Sequence, residues 1–424
     1  MKLAALVSWP SSWWRRPRFA SQVRAYDSLL LLSALSLLAI GALMITSASM
    51  EVSNRDYGSP FYHALKHGVF IFISLSVALS VFVLPMRFWQ QTGHWWLLLG
   101  FLLLVLVLIP GIGHKVNGST RWIRLGPINL QTSEIAKFCM ILYMGGYLVR
   151  RLDEVRTQWS GFLKPMGVLS LFICLLLLEP DFGAVVILGG IVLGMVFLSG
   201  MVLWQFLLVV LGAIAAAVIM VISSPYRWER VTSYWNPWAD PFGTGYQLSQ
   251  AQIAFGRGEW FGQGLGNSVQ KLFYLPEAHT DFVFSVLAEE LGLIGALGVV
   301  LLFALLVIRI FYIGRRAEEQ GLRYHAYIAY GIGIMFAGQA LINIGVNAGV
   351  LPTKGLTLPL VSYGGSSLLV CLSMLAMVSR IQLERYRHQT LPQLSTQGKK
   401  QPSTEPSTQG KEKQRRKLRK EVSA

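Results

Sequence analysis

Charge is what this sequence has least of. Asp, Glu, Lys and Arg together make up 14% of its 424 residues while 53% are hydrophobic, against about a quarter charged in an ordinary soluble domain. Cysteine is scarcer still. Cys139, Cys174 and Cys371 make an odd set, all inside apolar runs, so no disulfide framework is implied. The seven histidines read as scattered, with no HExxH motif and no i, i+4 pair expected, and His279 with Asp281 is only a weak i, i+2 hint of a ligand pair. No metal set is therefore legible, and whether a divalent cation assists stays open. P-loop, dinucleotide and serine-elbow patterns are also missing, which disfavours ATP-driven transport.

What the chain has instead is apolar runs of membrane length. They fall near residues 27–48, 62–84, 93–112, 132–149, 163–178, 182–199, 201–223, 282–313, 326–350 and 362–383. A span needs about 20 apolar residues, and in hydrocarbon each must satisfy its own backbone, so the reading is an all-α polytopic membrane protein with about ten transmembrane helices. The division is a segment 1–26, a membrane domain 27–387 and a basic, low-complexity tail 388–424, where STQGK occurs at 395–399 and again at 407–411. The first short apolar run precedes Trp13, Trp14 and clustered arginines, the wrong order for a secretory signal.

Lysine and arginine near the span ends set the orientation. Arg15, Arg16, Arg18 and Arg24, then Arg150, Arg151, Arg156 and Lys164, then Arg315, Arg316 and Arg323 all fall on one face. Both termini should be cytoplasmic. The net charge of +16 does not signal nucleic acid, since twelve basic residues lie beyond position 379, most of them in the tail.

The outer face then receives a loop of unusual length, 224–280, between the seventh and eighth spans. Clustered Trp and Tyr suit an interfacial cap or the cover of a lipid-facing groove, and YQLSQAQIAFGRG within it reads as a short amphipathic helix. Basic residues on this face run against the usual bias: Lys115, Arg121, Arg124, Arg227, Arg230, Arg257, Lys271 and Lys354. If they converge beside an apolar groove they suit a lipid-linked phosphate or pyrophosphate; otherwise they are ordinary surface charges.

Among the acids, Glu134 stands three residues before Lys137 on one helical face, as a buried neutralising pair would. Asp181 of EPDFG (179–183) sits where an N-cap is needed. Asp281 ends a proline-punctuated loop and opens a span, which admits either a cap or a functional carboxylate. Glu289 and Glu290 lie deeper, and at least one must find a partner or stay protonated.

Five stretches then carry a resemblance: NGSTRWIRLG (117–126), EPDFG (179–183), YQLSQAQIAFGRGEWFGQGLGNS (246–268), PEAHTDF (276–282) and NAGVLPTKGLTLPLVSYGGSS (347–367). The chain resembles the SEDS (shape, elongation, division, sporulation) family over roughly residues 20–387, and PTKG with Lys354 is closer to its division branch than to its elongation branch. The resemblance implies ten spans in the bacterial inner membrane and polymerisation of lipid II into glycan strands at the division septum. It implies partnership with a class B penicillin-binding transpeptidase and other division proteins. It assigns the essential role to Asp281, with Arg121, Arg227, Arg257, Lys271, Lys354, His279 and Glu277 as substrate-binding candidates.

Three positions depart from the family pattern: Thr132 where proline is common, Ala184 where threonine is frequent, and Phe273 where some relatives carry an acid. The last weakens any two-carboxylate or metal-bridged scheme. A single base suffices chemically, because pyrophosphate leaves without needing a proton whereas an alcohol does not. A lipid II flippase and a non-catalytic scaffold are the competing readings.

Overall fold

The computed structural model describes residues 25–398 apart from 117–118, 127, 224–227, 229–231 and 353–354. Ten of its helices answer to the ten apolar runs. They are α1 (Ser28–Tyr57), α2 (Tyr62–Val83), α3 (Met86–Leu108), α4 (Thr132–Arg150), α6 (Trp159–Leu178), α7 (Phe182–Leu198), α8 (Leu203–Ile222), α10 (Val283–Glu319), α11 (Arg323–Asn347) and α12 (Gly365–Gly398). Seven of these are long and apolar enough to cross a membrane, and α7 and part of α8 are shorter apolar helices. A short α5 (Leu152–Thr157) and the amphipathic α9 (Tyr246–Gly258) accompany them.

The caps follow from the sequence. Asp27 accepts the Leu30 amide at 3.0 Å to begin α1, and Gly58 closes it at φ 67° in the left-handed region that glycine tolerates. Asp181 caps α7 as expected, accepting from the Ala184 amide at 3.2 Å.

Residues 26–383 form one compact unit. At its centre, α4 packs against α3, α7 and α11, while α11 packs on α10. Fifteen residues of α4 are buried, so this span is sheltered by protein rather than lipid, and it can carry Glu134 and Lys137. Their side chains meet at 2.7 Å, and Lys137 also donates to Gln339 of α11 at 2.9 Å. By contrast α8 buries Gln205 alone among its described residues and turns Leu207, Leu208, Leu211 and Ile219 outward, as a lipid-facing helix does.

Residues 113–131, between the third and fourth apolar runs, build a three-stranded antiparallel sheet: β1 (Gly113–Val116), β2 (Ser119–Leu125) and β3 (Ile128–Gln131), in that order. Such short strands leave little alternation to read. The sheet is fastened to the bundle through Ser366, whose hydroxyl accepts from the Gln131 amide at 2.9 Å and donates to the Asn129 carbonyl at 2.7 Å.

The run read as one span at 282–313 is a broken helix. At Gly292 the backbone leaves helical space (φ 70°, ψ −171°), which frees carbonyls below and amides above. The loop after α9 satisfies both sets. Gln263 and Gly264 donate to the carbonyls of Glu289 and Glu290 at 2.9 and 3.0 Å, and the amides of Leu293 and Ile294 donate to Glu259 and Trp260 at 2.9 and 3.2 Å.

Gly262 sits at φ 82° with the Glu290 carbonyl where a Cβ would stand. Gly262→Ala is therefore expected to lower the thermal midpoint in detergent by several degrees, since the dihedral strain alone is about 1–3 kcal/mol. An unchanged midpoint would mean that the loop does not seat here.

Candidate active site

One end of the unit gathers the motif residues. The turn PEAHTD is tied by the Glu277 carbonyl, which accepts from the amides of Thr280 and Phe282 at 3.1 and 3.3 Å, and by the Thr280 hydroxyl, which donates to the Glu277 carboxylate at 2.7 Å. Glu277 itself lies at φ 56°. Asp281 follows immediately, half-buried. It is not the N-cap of α10, which begins at Val283 after Phe282. The cap alternative is thereby overturned, and no hydrogen bond engages its carboxyl among the described residues.

Strand β2 delivers the facing cation. Alternation along the strand puts Ile123 inside and Arg124 outside, and Arg121 shares the inner side. Arg121 donates to the Pro180 carbonyl at 2.6 Å and stands 3.8 Å from the Asp181 carboxylate. Its buried Nε has no partner among the described residues. Asp181 also accepts from the Ser133 hydroxyl at 2.9 Å. Across the turn, a Cβ on Gly355 would lie 3.2 Å from Asp281 Oδ2, so the chain after Lys354 crosses directly beside the carboxyl.

The surroundings tune the acids. Burial first, then the negative charges of Glu277 and Asp181, push the Asp281 carboxyl up to about 7, with Arg121 pulling the other way. Part of the residue remains open to solvent, so the carboxyl is crowded by protein without being sealed. Glu179 is driven up to about 8 by burial and by its neighbour Asp181, against a hydrogen bond from Thr132.

His279 lies between His63 and Tyr363, with ring centroids at 5.3 and 5.7 Å, and burial lowers its pKa. His63 and His67, four residues apart on α2, are an i, i+4 histidine pair, which corrects the expectation that the histidines form no such set. Both rings lie within 6 Å of the Tyr363 ring. Among the described residues no group of three or more His, Cys, Asp or Glu is placed to hold a metal ion.

The other expected contacts fall differently. Arg257 pairs with Glu289 at 3.0 Å with its side chain still 45% exposed, whereas Lys271 is buried. Lys271 donates to Glu290 and Ser47 at 2.9 Å each and to the Gly266 carbonyl at 2.8 Å. Three acceptors occupy its three protons. Both deep carboxylates thus find cations, and Glu289 also accepts from the Val269 and Gln270 amides at 3.1 and 3.3 Å. Arg227, Arg230 and Lys354 lie outside the described residues. Of the expected basic residues that are described, Arg121 is the one whose charge acts on the Asp281 carboxyl.

A polytopic helical membrane protein with a crowded carboxylate and an arginine at one end is the class that the fold and site define. The FtsW/RodA/SpoVE family model, described as a cell cycle protein, matches residues 27–387, and the chain belongs to that family. Similar proteins include the probable peptidoglycan glycosyltransferase FtsW of Hahella chejuensis, 53% identical over 86% of this chain and 92% of that one. Its counterpart in Coxiella burnetii is 52% identical over 85% and 97%. Among solved structures, a chain from a peptidoglycan synthase complex, studied for the coordination of polymerization and crosslinking, is 31% identical with a TM-score of 0.71, over 86% of this chain and 99% of its own. The rod shape determining protein RodA of Thermus thermophilus is 26% identical with a TM-score of 0.63, over 85% and 98%.

Proposed function

We propose that this chain is a division-type peptidoglycan glycosyltransferase that polymerises lipid II on the outer side of the bacterial inner membrane, with both termini cytoplasmic. The observation that carries the mechanism is Asp281: a half-buried carboxyl with no hydrogen bond of its own among the described residues, a pKa pushed up to about 7, and the positive charge of Arg121 acting on it. A base poised near the working pH is what abstraction of a hydroxyl proton requires.

In this scheme the acceptor's sugar hydroxyl attacks the anomeric carbon of the glycan carried on undecaprenyl pyrophosphate. The new C–O bond forms as the bond to the pyrophosphate oxygen breaks. The electron pair leaves with the pyrophosphate, the configuration inverts, and the hydroxyl proton passes to Asp281. Cations must hold the departing charge. Arg121 is the best-supported candidate, Arg257 retains exposed guanidinium surface, and Arg227 and Lys354 stand by motif alone. Lys271 serves the helix break instead. The class B transpeptidase partner and the septal location belong to the same reading, supported by the relatives' names and by the synthase complex.

The test is purified protein with a class B partner and labelled lipid II, scored for glycan strands. Lipid scrambling in liposomes without polymer would replace this reading by transport, and neither activity would leave a scaffold. The acid limb of kcat/KM should fall near pH 7, because only ionised Asp281 accepts the proton. A limb near pH 4 would mean that the carboxyl is solvated like any other.

A further inference from the structure

Three carboxamides stand at four-residue intervals along α11: Gln339, Asn343 and Asn347, all on one face and all buried. Each reaches a backbone group of the site. Gln339 donates to the Thr357 carbonyl at 3.0 Å. Asn343 donates to the Leu356 carbonyl at 2.5 Å and to the Asp281 carbonyl at 2.9 Å. Asn347 donates to the same Asp281 carbonyl at 2.9 Å, while its oxygen accepts from the amide and hydroxyl of Ser285 at 3.0 and 2.8 Å. The lower end of the row is anchored, since Gln339 also accepts from Lys137 of the buried ion pair.

This arrangement answers a question that the turn itself raises. The first-turn amides of a helix need acceptors, and Phe282 at the N-cap has no side-chain oxygen to offer, which leaves the adjacent Asp281 as the nearest carboxylate. Here the Ser285 amide is shared between the Phe282 carbonyl and the oxygen of Asn347, which reaches across from another helix, each at 3.0 Å, and the Asp281 carboxyl makes no such bond among the described residues. The same rung fixes the main chain of Asp281, while Asn343 holds the facing Gly355–Thr357 segment at a set distance from it.

We infer that Gln339, Asn343 and Asn347 form a carboxamide ladder that positions Asp281 against the 355–357 segment, with Asn347 relieving Asp281 of helix capping so that its carboxyl is free to act. This rests on the reading of Asp281 as the base. The three are positioning residues, because they touch backbone rather than substrate.

Asn347→Ala isolates the effect. Losing the donor loosens the Asp281 backbone, and losing the acceptor leaves the Ser285 amide with the Phe282 carbonyl alone and opens its second acceptor position to the Asp281 carboxyl. A misplacement of about 1 Å costs on the order of 100-fold in rate, so kcat should drop about that much. A carboxylate that accepts amide hydrogens is stabilised as the anion, so the acid limb of kcat/KM should move to lower pH. Glu277, His279, Arg121 and Asp181, which face Asp281 from the turn, β2 and the α7 cap, are unchanged in this variant, so their influence cancels.

A merely structural role would lower the yield of active protein without moving the limb. A wild-type rate, or a slower enzyme with the wild-type limb, overturns the ladder. If Asn347→Ala is not monodisperse, Asn347→Ser is read by the same two criteria. Asp281→Asn is assayed alongside. A wild-type rate in Asp281→Asn would sink the base assignment itself, whereas an inactive Asp281→Asn beside an unaffected Asn347→Ala would sink only the ladder.

Discussion

Asp281→Asn is expected to reduce lipid II polymerisation by about 10³-fold or more, toward the upper end of what a positioned base contributes. The asparagine has the same size and shape but cannot take the hydroxyl proton. Thermal stability should hold, because the carboxyl makes no hydrogen bond that the amide would lose among the described residues. The sign of its charge effect points the same way. A carboxyl whose pKa is raised on folding favours the fold below its unfolded value, and this contribution is lost as pH rises through about 7. Removing the ionisable group therefore should not destabilise the protein above pH 7. Initial rates of glycan formation and a detergent melting curve check both halves. A variant that keeps more than a tenth of wild-type activity would show that Asp281 is not the base.

The second large effect concerns stability. Lys137→Met should leave the Glu134 carboxylate buried without its cation, at a cost of about 3–5 kcal/mol, read as a large fall in the melting midpoint. Glu134 already has one oxygen without a partner among the described residues, so little else is available to neutralise it. Adding Glu134→Gln should recover most of the loss, since removing both charges spares the desolvation cost that either alone incurs. If the single variant melts like wild type, the pair carries no structural weight. Lys137 also steadies Gln339, so the variant should lose some activity even in the folded fraction.

Local pattern accounts for much of the architecture. Apolar runs of membrane length mark the ten long helices, and Asp181 before an apolar run marks a cap. The Glu134–Lys137 pair is legible because three-residue spacing on a helix brings side chains together whatever the fold.

What eluded the sequence depends on distance along the chain. Nothing local to Arg121, Arg257 or Lys271 says which of three carboxylates each will meet, since their partners lie 19 to 60 residues or more away. The amides at Asn343 and Asn347 sit in an apolar run with no motif around them. Their role exists only once α10 and the 355–358 segment are packed alongside. The break at Gly292 was hidden for the opposite reason, because an unbroken apolar run reads the same whether or not its backbone is continuous.

That break has a consequence for how this protein can vary. The hydrogen bonds between residues 259–264 and α10 join main-chain groups, so no replacement other than proline can delete one of them outright. Any other replacement can only obstruct the seam, by putting atoms where Gly262 and Gly292 have none. Natural or engineered diversity should therefore range freely over the exposed Trp260 and Phe261 side chains and halt at the two bare positions, Gly262 and Gly292.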